Sequence, residues 1–401
     1  MPRSSIRRIF NAVERLRSQG TYVYPLHIGD PYFAMPQRMA QGITAALAAG
    51  RTHYSPTPGI PELRQAIAAH VARRLQIGTS EELSPSIVCS QGATQALNAC
   101  LQLTCDAGDS MLLPEVHFPN YMQQCCLAGV EARLYPLDAH FQPDLGRLEA
   151  LIDSTTRALL INSPSNPTGA VFPPEIMEAL CDIAARHGLW VITDEAYIDF
   201  VYDGEYRSPL VYDWQRAPGE RRVLGVFSFS KSFAATGLRM GWTVCPREEV
   251  AIQLGLMNEP LTGSLTTPLQ YGMIAALEED DVGERRSALA RQRDLAVELL
   301  ASNGWEIVAP GGGMFCFLDV AYTGLSCDEF ADRLLTVEHV AVVPGSGFGL
   351  VPTPDRSGSW AYAPGELASR CVRVCFAIQE SDLREGVTRL GRFVRRLASG
   401  A

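Results

Sequence analysis

Between residues 86 and 229 the chain repeatedly alternates a short, unbroken apolar run with a stretch of helical periodicity. The runs 87–90, 110–114, 158–162, 190–194 and 223–229 read as strands, and 93–103, 121–127 and 174–187 read as helices. An apolar run without alternation belongs to a strand buried on both faces, and helices between such strands make them parallel neighbours. The expectation is an α/β fold: a large domain with a mostly parallel sheet flanked by helices. In such sheets ligands gather at the carboxyl ends of the strands. Four polar clusters fall at those ends: SQGAT at 90–94, NSPSNPTG at 162–169, DEAY at 194–197 and SFSK at 228–231.

The flanking sequence has another character. Residues 4–19 carry Ile6, Ile9, Phe10, Val13 and Leu16 at helical spacing, and 38–49, 61–76 and 268–302 are also helical in pattern. After Gly304, the segments 305–308, 315–320 and 340–343 read as strands, and 328–337 and 380–398 as helices. This predicts a smaller α+β domain formed by the N-terminal arm and the C-terminal segment. The expected division is 1–45 for the arm, 46–285 for the large domain and 286–401 for the small one.

Composition narrows the classes. A hydrophobic fraction of 47% with 19% charged residues excludes intrinsic disorder as the main state. A formal charge of −10 gives no reason to expect nucleic acid or an anionic membrane as partner. No stretch approaches the roughly 18 to 20 apolar residues of a bilayer span, and the N-terminus lacks the apolar centre of a signal peptide. The eleven cysteines include no C-x-x-C pair and the histidines no H-x-x-x-H pair, so buried thiols in a reducing cytoplasm are expected, and no metal site.

Of the 34 Lys and Arg residues, only Lys231 is a lysine. Arginine stays protonated at any working pH, whereas a lysine amine can lose its proton when desolvated and then attack a carbonyl. Lys231 therefore reads either as a Schiff-base nucleophile or as a surface residue that escaped replacement. Its surroundings favour the first. In FSFSKSFAATGLRMGW, Ser228 and Ser230 flank the amine and Arg239 follows eight residues later. Hydroxyls and a guanidinium at one strand end suit a phosphate dianion beside an aldehyde, and a nearby cation depresses an amine pKa. A phosphorylated aldehyde cofactor means pyridoxal 5′-phosphate.

The other clusters are individually weaker. SQGAT offers free backbone N–H groups at a helix start, which favour phosphate, yet such turns are common. Asp194 is suited to a ring N–H⁺ or equally to a helix cap or buried ion pair. Asn166 and Tyr197 could bond a ring hydroxyl, and NPTG is also simply a turn sequence. Together, in this order, the segments resemble the fold-type I, pyridoxal-phosphate-dependent aminotransferases of class I/II. LHIGDPYFAMP, HYSPTPGIPELRQAIAAHV, SQGATQAL, NSPSNPTG, DEAY, SFSKSFAATGLRMGW and VRVCFA carry that resemblance over almost the whole chain.

The resemblance implies roles. Lys231 would hold the cofactor and move the α-proton. Asp194 would pair with the pyridine nitrogen, and Asn166 and Tyr197 would bind its hydroxyl. Ala93, Thr94, Ser228, Ser230 and Arg239 would hold the phosphate, and Phe118 would stack on the ring. Arg373 would fork onto the substrate α-carboxylate beside the backbone of Gly29. Tyr54 would reach the phosphate of a partner subunit, which implies a homodimer with shared sites acting on an amino acid and a 2-oxo acid. The same machinery would equally serve β- or γ-elimination, replacement, cyclisation or oxidation. One segment departs from the family: 350–372 looks longer than in many relatives. It reads as a tolerated surface insertion, or as a specificity loop carrying Arg356, Trp360 and Tyr362. Thr266 and Thr267 read as helix-capping residues.

Overall fold

A computed structural model describes residues 5–278, 282–354 and 360–399. Seven strands form the main sheet: β1 (Ile87–Ser90), β2 (Ser110–Pro114), β3 (Glu131–Tyr135), β4 (Thr156–Asn162), β5 (Trp190–Asp194), β6 (Val223–Ser228) and β7 (Gly241–Val244). Their order is β1-β7-β6-β5-β4-β2-β3, and all pairs are parallel except those of β7, which runs against both β1 and β6. Helices cover both faces, and β1, β2, β6 and β7 are buried throughout, as their unbroken apolar sequences require.

The reversal at β7 matters for the site. Gly241, its first residue, pairs with the last residues of both β1 and β6, Ser90 and Ser228. The chain entering β7 is thereby inserted between two strand ends, and Arg239 comes with it. On the other side of β6, Asp194 at the end of β5 pairs with Asn162 at the end of β4.

Five further strands follow: β8 (Phe315–Asp319), β9 (Val343–Pro344), β10 (Leu350–Pro354), β11 (Trp360–Pro364) and β12 (Cys371–Cys375). An antiparallel sheet is formed in the order β8-β12-β9, and β10 pairs with β11 as a hairpin. A second core lies under this sheet. It takes Ile9, Val13, Val23 and Leu26 from the N-terminal arm together with Phe330, Leu334, Val372, Val374 and Leu383 from the C-terminal segment.

Several expectations need correction. Residues 305–308 form no strand; Trp305 instead packs its ring against Tyr322, centroids 5.6 Å apart, and into the small core. Of 340–343 only Val343 joins a ladder, while Val340 makes an isolated bridge to Tyr24. The sequence EARLY hid β3 because it holds no β-branched residue. The helical stretch 268–302 divides into Thr267–Leu277 and Val282–Ser302. Thr266 sits at the N-cap without a side-chain cap bond, and Thr267 donates to the carbonyl of His53 at 2.6 Å. The long 350–372 segment contributes the paired strands β10 and β11, a helical turn Glu366–Ser369 and the start of β12, and the Tyr362 hydroxyl lies 2.5 Å from Cys126 Sγ on the helix Pro119–Ala128. Arg356 lies outside the described residues. All eleven cysteines are free thiols and only Cys126 is not fully buried. Among the described residues no helix is long and apolar enough to cross a membrane, and no group of His, Cys, Asp and Glu is arranged to hold a metal.

Candidate active site

The carboxyl ends of β1, β6, β5 and β4 open into one cavity of about 280 Å³. Every residue to which the resemblance assigns a role at the site lines it except Tyr54, which stands on the surface, 94% exposed.

Lys231 lies on the single helical turn Phe229–Ser232 that follows β6, where the Ser228 hydroxyl accepts from the Ser230 N–H at 3.0 Å. Its Nζ donates to the Gly29 carbonyl at 2.5 Å and lies 5.9 Å from the centre of the Tyr197 ring. Burial lowers its pKa to about 8; the Arg373 and Arg239 cations push the same way, and Asp30 opposes them.

One side of the cavity collects donors for an anion. The helix Gly92–Thr104 begins there, with Ala93 and Thr94 on the cavity wall. Gly92 has φ +74°, and a Cβ at that position would stand 2.6 Å from Arg239 Nη2, so the turn accepts only glycine beside this guanidinium. Arg239 Nη1 donates to the Thr236 carbonyl at 2.7 Å and approaches the Ser230 hydroxyl at 3.5 Å. A helix N-terminus, two hydroxyls and a guanidinium form a cradle for a phosphate.

Across the cavity, Asp194 accepts from the Tyr121 hydroxyl at 2.7 Å and from the Ala196 N–H at 3.1 Å. Burial raises its pKa, while those two bonds and Lys231 pull it back down. Asn162 braces the same corner, its Nδ2 donating to the Asp194 carbonyl at 3.1 Å and its Oδ1 accepting from the Asn166 N–H at 2.9 Å. The peptide bonds before Pro164 and Pro167 are both cis.

Arg373, on β12, is buried and has no carboxylate partner among the described residues. It donates to Asn166 Oδ1 and to the His27 carbonyl, both at 2.9 Å, and its Nε has no partner. Its guanidinium lies over the rings of Phe315 and Phe348, 4.1 and 4.9 Å from their centres. Desolvation lowers its pKa to about 10. A buried, uncompensated cation with a free donor awaits an anion from outside.

Four lining residues outside the quoted segments escaped the sequence reading. Tyr121 carried a usable signal, since it falls three residues after Phe118, the residue that caps the same helix. Phe315, Ile6 and Phe10 carried none, because only long-range packing brings them to the cavity.

The donor set fits pyridoxal 5′-phosphate: a cradle for its phosphate, an amine for its aldehyde, and a buried carboxylate for its ring nitrogen. The sequence profile described as aminotransferase class I and II matches residues 22–390. A probable aspartate/prephenate aminotransferase from Aquifex aeolicus is 35% identical, the match covering 94% of this chain and 92% of that protein. An arginine–pyruvate transaminase from Pseudomonas aeruginosa is 36% identical over 85% of this chain and 86% of its own. The structure of Thermus thermophilus aspartate aminotransferase with maleate superposes with a TM-score of 0.87 at 32% identity, covering 98% of this chain and 97% of that one. With this fold and these relatives, the chain belongs to the class I and II aminotransferases, the pyridoxal-phosphate-dependent enzymes that transfer amino groups.

Proposed function

We propose that transfer of the α-amino group of an L-amino acid to a 2-oxo acid is carried out by Lys231, Asp194 and Tyr197 with Arg373 as substrate anchor. The observation that carries this reading is the position of the chain's single lysine: a desolvated amine between two arginines that lack carboxylate partners in the cavity. Pyridoxal phosphate, when bound, supplies an electron sink for the pair left at the substrate α-carbon. The protein's share is to bind, orient and move protons.

Arg239, Ser228, Ser230 and the N–H groups of Ala93 and Thr94 hold the phosphate. Asp194 keeps the ring nitrogen protonated, and its own charge is maintained by Tyr121. Asn166 and Tyr197 bond the ring hydroxyl, and Phe118 stacks on the ring. Arg373 and the backbone of Gly29 hold the α-carboxylate, which fixes the orientation of the Cα–H bond. Lys231 would hold the aldehyde end of the cofactor through Nζ. Freed when the substrate amine takes its place, Nζ would carry the proton off the α-carbon and give it up on the cofactor side. With its pKa lowered to about 8, the amine can shed and regain a proton near neutral pH.

Tyr54 completes the site of a second copy in a homodimer. Its 94% exposure supports this, as does the bond that ties the neighbouring His53 carbonyl to Thr267. Eleven free thiols favour a reducing cytoplasm.

The test is borohydride reduction of the purified, yellow protein followed by peptide mapping. The pyridoxyl label is expected on Lys231, and an amino acid is expected to discharge the visible absorbance until a 2-oxo acid restores it. A label elsewhere, or ammonia released with no 2-oxo acid needed, would overturn the proposal.

A further inference from the structure

We infer that the amino acid taken by this enzyme carries a large apolar side chain, of the phenylalanine or leucine kind, and that Ile6 and Phe10 form the wall that recognises it. The inference rests on the reading of Arg373 as the α-carboxylate anchor.

Charge is the first ground. Among the described lining residues the only cations are Lys231, Arg239 and Arg373, and all three are committed to cofactor and α-carboxylate. A second carboxylate on the substrate would be desolvated against this protomer's wall with no cation there to pair with it, which is costly. A carboxylate beside the cavity has the wrong sign for it: Asp30 accepts from the Thr236 hydroxyl at 2.8 Å, and Thr236 itself lines the cavity.

The wall is the second ground. Ile6 and Phe10 stand one turn apart on the helix Ser5–Ser18 and face the cavity along with Phe118. Phe10 packs edge-on against His27, ring centres 4.9 Å apart, and the carbonyl of that same His27 accepts from Arg373. His27 thus touches both the apolar wall and the carboxylate anchor. Burial keeps the His27 imidazole neutral, with a pKa near 3, so it adds no cation. The helix itself is anchored: Ile9 and Val13 are buried in the small core, and Arg8 pairs with Asp328 and Asp332 at 2.7 and 2.5 Å. Half-buried Ile6 and Phe10 are therefore a surface held in place against the site.

Two measurements on the holoenzyme test this. Calorimetry with unreactive acids should show 3-phenylpropionate binding at least about tenfold tighter than succinate. Amino donors should follow the same order, with kcat/KM for phenylalanine or leucine exceeding that for aspartate and for arginine. Phe10→Ala should lower the phenylalanine-to-alanine ratio of kcat/KM by about tenfold, and Phe10→Arg should tighten succinate. Equal or tighter binding of succinate, faster turnover of aspartate or arginine, or an unchanged ratio in Phe10→Ala overturns the inference while leaving transamination intact. If no donor discharges the visible absorbance, the transaminase reading fails and the inference falls with it.

Discussion

Glu195 shows how far one residue can depart from what its motif suggests. It follows Asp194 in DEAY but turns away from the cavity, fully buried, and accepts from Ser208 at 2.7 Å and Tyr206 at 3.1 Å. Burial raises its pKa to about 8. A carboxyl whose folded pKa lies above its unfolded value contributes stability that is complete below about pH 4.5 and is lost as pH rises through about 8. Glu195→Gln keeps the contacts and removes the titration. Its Tm relative to wild type should therefore climb by several degrees between pH 5 and pH 9. A gap constant over that range would show that Glu195 does not titrate there. At the same scale, Lys231, Asp194 and Asn166 could be read in advance because each stands in a short polar cluster at a strand end, and Arg239 because it follows Lys231 by eight residues. Tyr121 was half-legible, through its spacing from Phe118. The bond from Tyr121 to Asp194 spans 73 residues and two elements, and nothing local encodes it.

Among the elements, the N-terminal helix has the largest functional consequence for its size. It reaches the site because Gly347 lets it approach: a Cβ at that position would stand only 1.9 Å from Ser5 Oγ. Gly347→Ala should push the helix off the small core. Trypsin is then expected to cleave faster at Arg7 and Arg8, and preference for apolar monocarboxylates to fall about severalfold. Ser5→Gly added to this variant should restore both. Unchanged proteolysis and selectivity would mean that the helix does not depend on this contact. The β10–β11 hairpin is different. Its described side chains pack on the helix Pro119–Ala128 and do not line the Lys231 cavity, which favours the surface-insertion reading. Element types in the parallel sheet were legible because a strand buried on both faces must be apolar throughout. Edge strand β3 and the segment 305–308 were not, because an edge strand needs no such run, and in 305–308 only Trp305 is buried while Glu306 and Val308 are exposed.

At the scale of the whole molecule, two cores and two sheets bring residues 29, 231 and 373 within one cavity. If Tyr54 serves a second copy, Lys231→Ala and Tyr54→Ala chains should complement each other. Co-expressed one to one, half the dimers are hybrids with one intact site each, so about a quarter of wild-type activity should return. No recovery would remove Tyr54 from the shared site. The chemistry was legible from the linear chain because it depends on residue types at strand ends: one amine, one carboxylate, one phosphate cradle and one late arginine. The amine, the carboxylate and the cradle lie in or beside strand ends that the β-α alternation sets side by side, and Arg373 joins them from β12 of the second sheet. The shape of the substrate pocket was not legible. Ile6, Phe10, Phe118 and Phe315 are ordinary apolar residues in sequence, and only the docking of the N-terminal arm and of β8 against the large sheet turns them into a wall. Local chemistry is written in neighbouring residues, whereas specificity arises from contacts between segments hundreds of residues apart, which only packing can bring together.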